Sequence, residues 1–66
     1  MSFSERFKEL KNDHGATYSE IAQYLGIKPR AVQYYAQGAR YPDFKGMLKL
    51  ADYFGVSLDY LCGRGK

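Results

Sequence analysis

The sequence has few of the residues that a metal site, a disulfide or a membrane span requires. Its 66 residues include one cysteine, one histidine and no tryptophan. Cys62 cannot form an intrachain disulfide, and His14 and Cys62 together cannot supply the soft ligands of a zinc site. No apolar run approaches the ~18 residues of a membrane helix, and the charged N-terminus does not resemble a signal peptide. We therefore expect a cytoplasmic protein with no membrane contact and with neither a metal nor another cofactor.

The residues of a catalytic site are also scarce. Cys62 has no base placed near it in the sequence, so we interpret it as a small apolar filler. The tail 63–66 reads Gly-Arg-Gly-Lys but lacks the upstream glycine and the following Ser or Thr of a phosphate-binding loop. No small-molecule site is evident either. The sequence therefore predicts a protein that is not an enzyme.

What the chain does contain is a high apolar content for its length. Hydrophobic residues make up 45% and aromatic residues 17% of the sequence, which favours a folded protein over a disordered one. No run alternates apolar and polar residues as a strand would, and neither a repeat nor a linker divides the chain. We therefore predict one compact all-α domain over residues 1–66.

Caps and helical spacing predict the first two helices. Ser2 with Glu5, or Ser4 alone, begins the first helix. The segment 17–20 (Thr-Tyr-Ser-Glu) is a capping box that begins the second, and Gly26 supplies the left-handed cap that ends it. The predicted core residues of these two helices are Phe3, Phe7, Leu10, Ile21, Ala22 and Leu25.

The second half of the chain supplies three further helices. Pro29 suits the first position of helix three because its φ is fixed and it has no N–H, and Gly38 ends that helix. Asp43 is a good N-cap for helix four, and the break at residues 55–57 precedes a short fifth helix. Gly46, inside helix four, either marks the close approach of a neighbouring helix or is merely tolerated. The predicted core residues are Val32, Tyr35, Phe44, Met47, Leu48, Ala51, Phe54, Leu58 and Leu61.

Positive charge is concentrated in the middle of the chain. Residues 27–45 contain four cationic side chains and one carboxylate, a net charge of +3. Residues 1–26 have a net charge of −1, and residues 46–66 have a net charge of +1. Concentrated positive charge favours a polyanionic partner, although a solvated surface would give the same distribution.

The segment 17–38 reads as two short helices joined by a turn at Gly26. In the second of them, positions 30, 33, 34 and 37 lie opposite the inward pair 32 and 35. A helix that packs on a partner while presenting polar side chains outward is suited to the major groove of DNA. The segment therefore predicts a helix-turn-helix.

Four segments of the chain resemble the Cro-repressor, or xenobiotic-response-element (XRE), family of helix-turn-helix DNA-binding domains. They are YSEIAQYLGI at 18–27, VQYYAQG at 32–38, Pro42-Asp43, and LADYFGVSLDYL at 50–61. The likeness covers nearly all of residues 3–63, and its last run is its most specific part. It implies a lambda-repressor-like fold of five helices. It also implies a transcriptional regulator, acting as a repressor, that binds a specific sequence of double-stranded DNA.

The resemblance further implies roles for individual residues. Base-edge contacts in the major groove are expected from helix three, at Lys28, Pro29, Arg30, Gln33 and Tyr34. Phosphate contacts are expected from the start of helix two and the region after helix three, at Thr17, Tyr18, Gln37, Arg40 and Tyr41, to which charge adds Lys45. A palindromic operator bound by a homodimer is expected, with Phe44, Leu58 and Tyr60 as candidate dimer contacts. The family likeness also implies a prokaryotic or phage-encoded protein.

Two positions depart from the usual pattern of this family. Lys28 stands where the family usually has a capping Ser or Thr, and Ala36 stands where an acidic residue is common. A function of another class stays open: a protein-interaction module, such as an antitoxin or antirepressor, that uses the same fold to bind a protein. Exposed aromatic residues would suit that role, whereas the positive charge of residues 27–45 favours DNA.

Overall fold

Five α-helices account for most of the chain. The computed structural model describes residues 1–64, in which α1 spans Phe3–His14, α2 Tyr18–Leu25, α3 Pro29–Gln37, α4 Phe44–Phe54 and α5 Leu58–Leu61. No strand occurs among these residues, so the prediction of an all-α, five-helix fold is confirmed. Residues 65–66, which end the predicted domain and the tail 63–66, lie outside the described residues.

The two predicted capping boxes explain where α1 and α2 begin. At α1, the Glu5 N–H donates to the Ser2 hydroxyl (3.2 Å) and the Ser2 N–H donates to the Glu5 carboxylate (3.0 Å). Ser2, rather than Ser4, is therefore the N-cap. The Ser2 N–H and the Ser2 hydroxyl both donate to the Glu5 carboxylate at 3.0 Å, and these bonds hold the pKa of Glu5 below its ordinary value. At α2, the Glu20 N–H donates to the Thr17 hydroxyl (3.1 Å) and the Thr17 N–H donates to the Glu20 carboxylate (2.9 Å).

The remaining helices begin with simpler caps. Asp43 accepts from the Gly46 N–H at 2.8 Å, and Ser57 accepts from the Tyr60 N–H at 3.1 Å. Within residues 1–64, the Lys28 side chain makes no capping hydrogen bond, and α3 begins with Pro29 at its first turn. The starting points of all five helices thus follow from local sequence.

Each helix contributes one large, fully buried side chain to the core. These side chains are Phe7, Ile21, Val32, Leu50 and Leu61. The ring of Phe7 lies between those of Phe3 and Phe54, with centroid separations of 5.7 and 6.0 Å. α1 packs against α3 and α5, α2 packs against α3 and α4, and α4 packs against α5. α3 is thereby held from its inner side and is free on its outer side.

The predicted inner face of α4 was wrong at two positions. Phe44 is 71% exposed and Leu48 is 43% exposed, whereas Leu50 is fully buried. Two overlapping apolar stripes on this helix both follow helical spacing. The first contains positions 44, 47, 48, 51 and 54. The second contains positions 47, 50, 51 and 54. The neighbouring α2 and α5 cover the second stripe, which turns Phe44 and Leu48 toward solvent.

The predicted inner face of α3 also needs correction. Tyr35 is half-buried and packs against the core, whereas Ala36, one turn after Val32, takes the fully buried position, which was missed in the sequence. A small side chain at position 36 permits close packing of α3, which contacts both α1 and α2. Position 36 is therefore an apolar packing position in this chain.

The crowding at Gly46 comes from the residues just before α4 rather than from another helix. A Cβ at Gly46 would lie 3.0 Å from the Pro42 Cβ and 3.1 Å from the Asp43 Oδ1. Pro42 is buried and Asp43 is the N-cap of the same helix. The glycine thus gives the loop room to fold back against the first turn of α4.

Arg6 is a buried charge that sequence patterns did not reveal. It is 8% exposed, and its guanidinium lies over the Tyr60 ring with Cζ 3.7 Å from the centroid. Its Nε donates to the Met1 sulfur at 3.0 Å and lies 3.7 Å from the Glu9 carboxylate. Arg6 therefore ties α1 to α5 through a cation–π contact.

Among residues 1–64, no helix is both long and apolar enough to cross a membrane. The same residues contain no group of three or more His, Cys, Asp or Glu side chains that could hold a metal ion. The His14 ring instead lies edge-on to Phe54, at 5.2 Å between centroids, and hydrogen-bonds the Leu10 carbonyl at 3.0 Å.

Candidate nucleic-acid interface

The turn between α2 and α3 is closed by Gly26 in the left-handed conformation. Gly26 has φ +75°, which an L side chain adopts only at a cost. Its N–H donates to the Ala22 carbonyl at 2.8 Å, and the Ile27 N–H donates to the same carbonyl at 3.0 Å. These bonds end α2 and send the chain into α3, which packs against α2. The result is the predicted helix-turn-helix.

One face of α3 is buried and the opposite face is open. Val32 and Ala36 are buried beneath the helix. The residues at and around its outer face that are exposed are Lys28, Pro29, Arg30, Gln33 and Gln37. The structure thus brings four of the five predicted base contacts to an exposed, polar helix surface. The fifth, Tyr34, is half-buried.

Tyr34 is half-buried beside Arg40. The Arg40 Cζ lies 4.8 Å from the centroid of the Tyr34 ring. The contact joins a predicted base contact to a predicted phosphate contact. Sequence spacing gave no sign of it, because residue 40 lies outside α3 and reaches Tyr34 only through the turn at Gly38.

Two of the predicted phosphate contacts lie at the N-terminus of α2. Thr17 is exposed and Tyr18 is half-buried. The first N–H groups of a helix have no intrahelical acceptor and attract anions. The Lys11 ammonium lies 4.6 Å from the Tyr18 ring centroid, which adds a positive charge to this end of α2. Lys11 was missed in the sequence because it belongs to α1.

The loop after α3 and the first turn of α4 carry three more of the predicted phosphate contacts. Arg40, Tyr41 and Lys45 are all exposed, and the Tyr41 ring lies 5.9 Å from that of Phe3 on α1. A shallow cavity of about 370 Å³ opens beside Lys45. Its lining residues are Leu25, Ile27, Tyr35, Asp43, Lys45, Gly46 and Lys49. Burial, and then the charge of Asp43, raise the pKa of Tyr35 above its ordinary value.

A family model described as helix-turn-helix, HTH_3, matches residues 7–61, which include α2, the turn and α3. The chain belongs to this XRE-type helix-turn-helix family. A solved transcriptional regulator from Listeria innocua has the same fold, with a TM-score of 0.92 and 37% identity. That match covers 98% of this chain and 61% of the Listeria chain.

Two curated transcriptional regulators are similar in sequence to this chain. The HTH-type transcriptional regulator ImmR of Bacillus subtilis is 38% identical over 64 residues, which are 97% of this chain and 50% of ImmR. The cryptic phage CTXphi transcriptional repressor RstR of Vibrio cholerae is 30% identical, over 97% of this chain and 57% of RstR. The chain thus spans about half the length of the curated relatives it matches.

The three candidate dimer contacts of this helix-turn-helix protein differ in how available they are. Phe44, at the first position of α4, is 71% exposed. Leu58 and Tyr60, on α5, are half-buried, and the Tyr60 ring is covered by Arg6. Phe44 therefore has the most apolar surface to offer a second copy.

The capping box at Thr17 supports a stability prediction that is independent of DNA. Thr17→Ala removes the hydroxyl that accepts from the Glu20 N–H, and we expect it to cost about 1 kcal/mol of unfolding free energy. Urea unfolding followed by circular dichroism measures the loss. Thr17→Ser keeps the accepting oxygen and is the matched control, so an equal loss in both variants would contradict the assigned cap.

Proposed function

We propose that this chain is a sequence-specific, double-stranded-DNA-binding transcriptional regulator that acts as a repressor. The observation that carries the proposal is the arrangement of α3 in a member of the helix-turn-helix family. Its inner side is buried through Val32 and Ala36, while its outer side is exposed and polar. Residues 27–45, which include α3 and the loop after it, hold a net charge of +3. Such a surface attracts the phosphates of DNA and can reach base edges.

The proposed base readout belongs to the exposed face of α3. Arg30 is suited to guanine, because a guanidinium can bond O6 and N7 together. Gln33 is suited to adenine, because its side-chain amide can form two hydrogen bonds with the N6 amino group and N7. Pro29 offers an apolar contact for a thymine methyl group, and Lys28 and Tyr34 complete the proposed set.

The proposed phosphate contacts flank that face on two sides. Thr17 and Tyr18 stand at the N-terminus of α2, where free N–H groups attract anions. The remaining proposed contacts lie from the end of α3 to the first turn of α4, where Gln37, Arg40, Tyr41 and Lys45 are exposed. The family likeness suggests the first three, and charge adds Lys45. Phosphate contacts fix the orientation of the protein on the duplex without reading its sequence.

We further propose a homodimer on a palindromic operator. One copy of α3 reads one half-site, so two copies related by two-fold symmetry would bind half-sites about 34 Å apart. The exposed Phe44 is the best-supported contact, with Leu58 and Tyr60 on α5 as the others. A bacterial or phage gene regulator of this kind works in the cytoplasm, and the name of the related phage repressor RstR supports a phage link.

Selection from a pool of random DNA duplexes tests the proposed function. We expect enrichment of one motif with two inverted half-sites, whose spacing also reports the dimer. The logarithm of the affinity for that motif is expected to fall linearly with the logarithm of the salt concentration, with a slope of about −0.9 per neutralised phosphate. No enrichment together with salt-independent binding would sink the proposal and leave the protein-interaction module as the better hypothesis.

Lys45 supplies a prediction for the sequence-independent part of binding. Lys45→Ala is expected to weaken binding to all duplexes alike and to reduce the salt slope by about one, because one phosphate contact is lost. Fluorescence anisotropy over a salt series measures both quantities. Lys8→Ala removes a lysine that is also exposed but lies on α1, outside the proposed interface, so a similar loss there would contradict a localised contact.

A further inference from the structure

The cation–π contact between Arg40 and Tyr34 joins two sides of the proposed interface. The guanidinium carbon of Arg40 is 4.8 Å from the Tyr34 ring centroid, within the range of an attractive cation–π contact. Tyr34 is half-buried, and Arg40 is exposed. Arg40, which lies outside α3, therefore restricts the Tyr34 side chain on α3.

The turn at Gly38 creates this contact. Gly38 has φ +77°, and the chain after it folds back so that the Ala39 N–H donates to the Tyr34 carbonyl at 3.0 Å. The Arg40 N–H points to the same carbonyl at 3.4 Å. A Cβ at Gly38 would lie 3.3 Å from the Ser4 hydroxyl, so the turn is also pressed against α1. Arg40 is thus held above residue 34 by backbone geometry.

We propose, on the basis of the DNA-binding function proposed above, that Arg40 is a positioning residue for base readout by Tyr34. The guanidinium lies over the ring, with its Cζ 4.8 Å from the ring centroid, and limits the orientations that the Tyr34 side chain can take. A side chain ordered before binding loses less entropy when it meets a base pair. Arg40 acts through Tyr34 and thereby influences a base pair that it does not itself contact.

This role is compatible with a phosphate contact by the same residue. The five N–H donors of a guanidinium lie in its plane, so its face can stack while its edge donates to a phosphate oxygen. A lysine at position 40 would keep the charge but not the planar face. Arg40→Lys therefore separates the two roles, which Arg40→Ala removes together.

Base preference measured at constant charge tests the proposal. A lysine ammonium can still approach the ring but has no planar face. We therefore expect Arg40→Lys to lower discrimination at the base pair facing Tyr34 by up to about two- to fivefold, the size of a whole exposed cation–π contact, and to keep the salt slope. That base pair is identified as the one whose preference is lost in Tyr34→Leu. Within Tyr34→Leu, the further change Arg40→Lys should alter no base preference. Lys45→Arg, an exchange between the same two residue types on the same surface, is the matched control.

Nuclear magnetic resonance of the free protein provides an arm that needs no DNA. The ring current of Tyr34 should shift the Arg40 side-chain protons upfield, and Tyr34→Leu should abolish that shift. Unchanged base preference in Arg40→Lys, or an equal change in the Tyr34→Leu background, would overturn the positioning role while leaving DNA binding intact. A protein that shows the ring-current shift but selects no duplex would overturn the proposed function and this role together.

Discussion

Replacing Leu50 with alanine is expected to lower the free energy of unfolding by about 2–5 kcal/mol. Leu50 is fully buried in α4, and that helix packs against both α2 and α5. Truncation removes apolar contacts and leaves a cavity that helices fixed by their caps cannot fully close. The largest single effect on stability among our predictions is therefore expected here.

The size of the protein makes such a loss decisive. Native domains are stabilised by roughly 0.05–0.15 kcal/mol per residue, which for 66 residues is about 3–10 kcal/mol in total. A small domain also buries a smaller share of its surface than a large one, so each core residue counts for more. We expect a large unfolded fraction of Leu50→Ala at 37 °C, measured by urea unfolding with circular dichroism at 222 nm.

Leu48→Ala is the matched control for this experiment. It makes the same substitution two residues earlier on the same helix, where the side chain is 43% exposed. We expect it to cost less than about 1 kcal/mol, since less apolar area returns to water and no closed cavity forms. Equal losses in the two variants would mean that the inner face of α4 is assigned to the wrong stripe.

The contrast between these leucines also shows how far the sequence alone can predict the fold. The helix starts were predictable because a cap is a local event, in which Thr17 and Glu20 bond within four residues of chain. The inner face of α4 was not, because two apolar stripes satisfied the same spacing and only the positions of α2 and α5 distinguish them. A cap can be predicted from adjacent residues, whereas the burial of a side chain depends on which other helices pack against its own.

The candidate interface divides in the same way. The exposure of Arg30 and Gln33 followed from helical periodicity around Val32, which is a property of one helix. The contact of Arg40 with Tyr34 required the left-handed turn at Gly38, and the contact of Lys11 with Tyr18 required α1 to pass near α2. The exposure of this part of α3 was therefore predictable from the sequence, whereas the contacts made by Arg40 and Lys11 were not.

The second large effect is expected at Arg30. We expect Arg30→Ala to cost about 1–3 kcal/mol of affinity for the selected operator and to relax the preference at one base pair. Arg30 is exposed on the first turn of α3, and within residues 1–64 it makes no salt bridge and no side-chain hydrogen bond. Within this part of the chain, the Arg30 guanidinium therefore has no contact of these two kinds that DNA binding would have to break. Anisotropy titrations against the operator and its single-base variants measure both effects.

Arg30→Lys refines this prediction, because it preserves charge while removing the fork of donors that bonds guanine O6 and N7 together. We expect the lysine variant to keep the salt slope and the affinity for unrelated duplexes but to lose most of the discrimination at one base pair. Gln37→Ala, at the far end of the same helix, is expected to weaken all sequences alike. Base preference that survives Arg30→Lys would remove Arg30 from the proposed readout set.

The two arginine-to-lysine exchanges together test how readout is distributed along α3. Arg30 is on the first turn of the helix, whereas Tyr34, on which Arg40 rests, is four residues or about 6 Å further along its axis. Successive base pairs rise by about 3.4 Å, so the two side chains should affect different base pairs of one half-site. Arg30→Lys and Arg40→Lys are thus expected to relax preference at separate positions, with additive effects in the double variant. Relaxation of the same position by both exchanges would mean that Arg30 and Tyr34 share one base pair, and α3 would then have to cross the groove steeply rather than follow it.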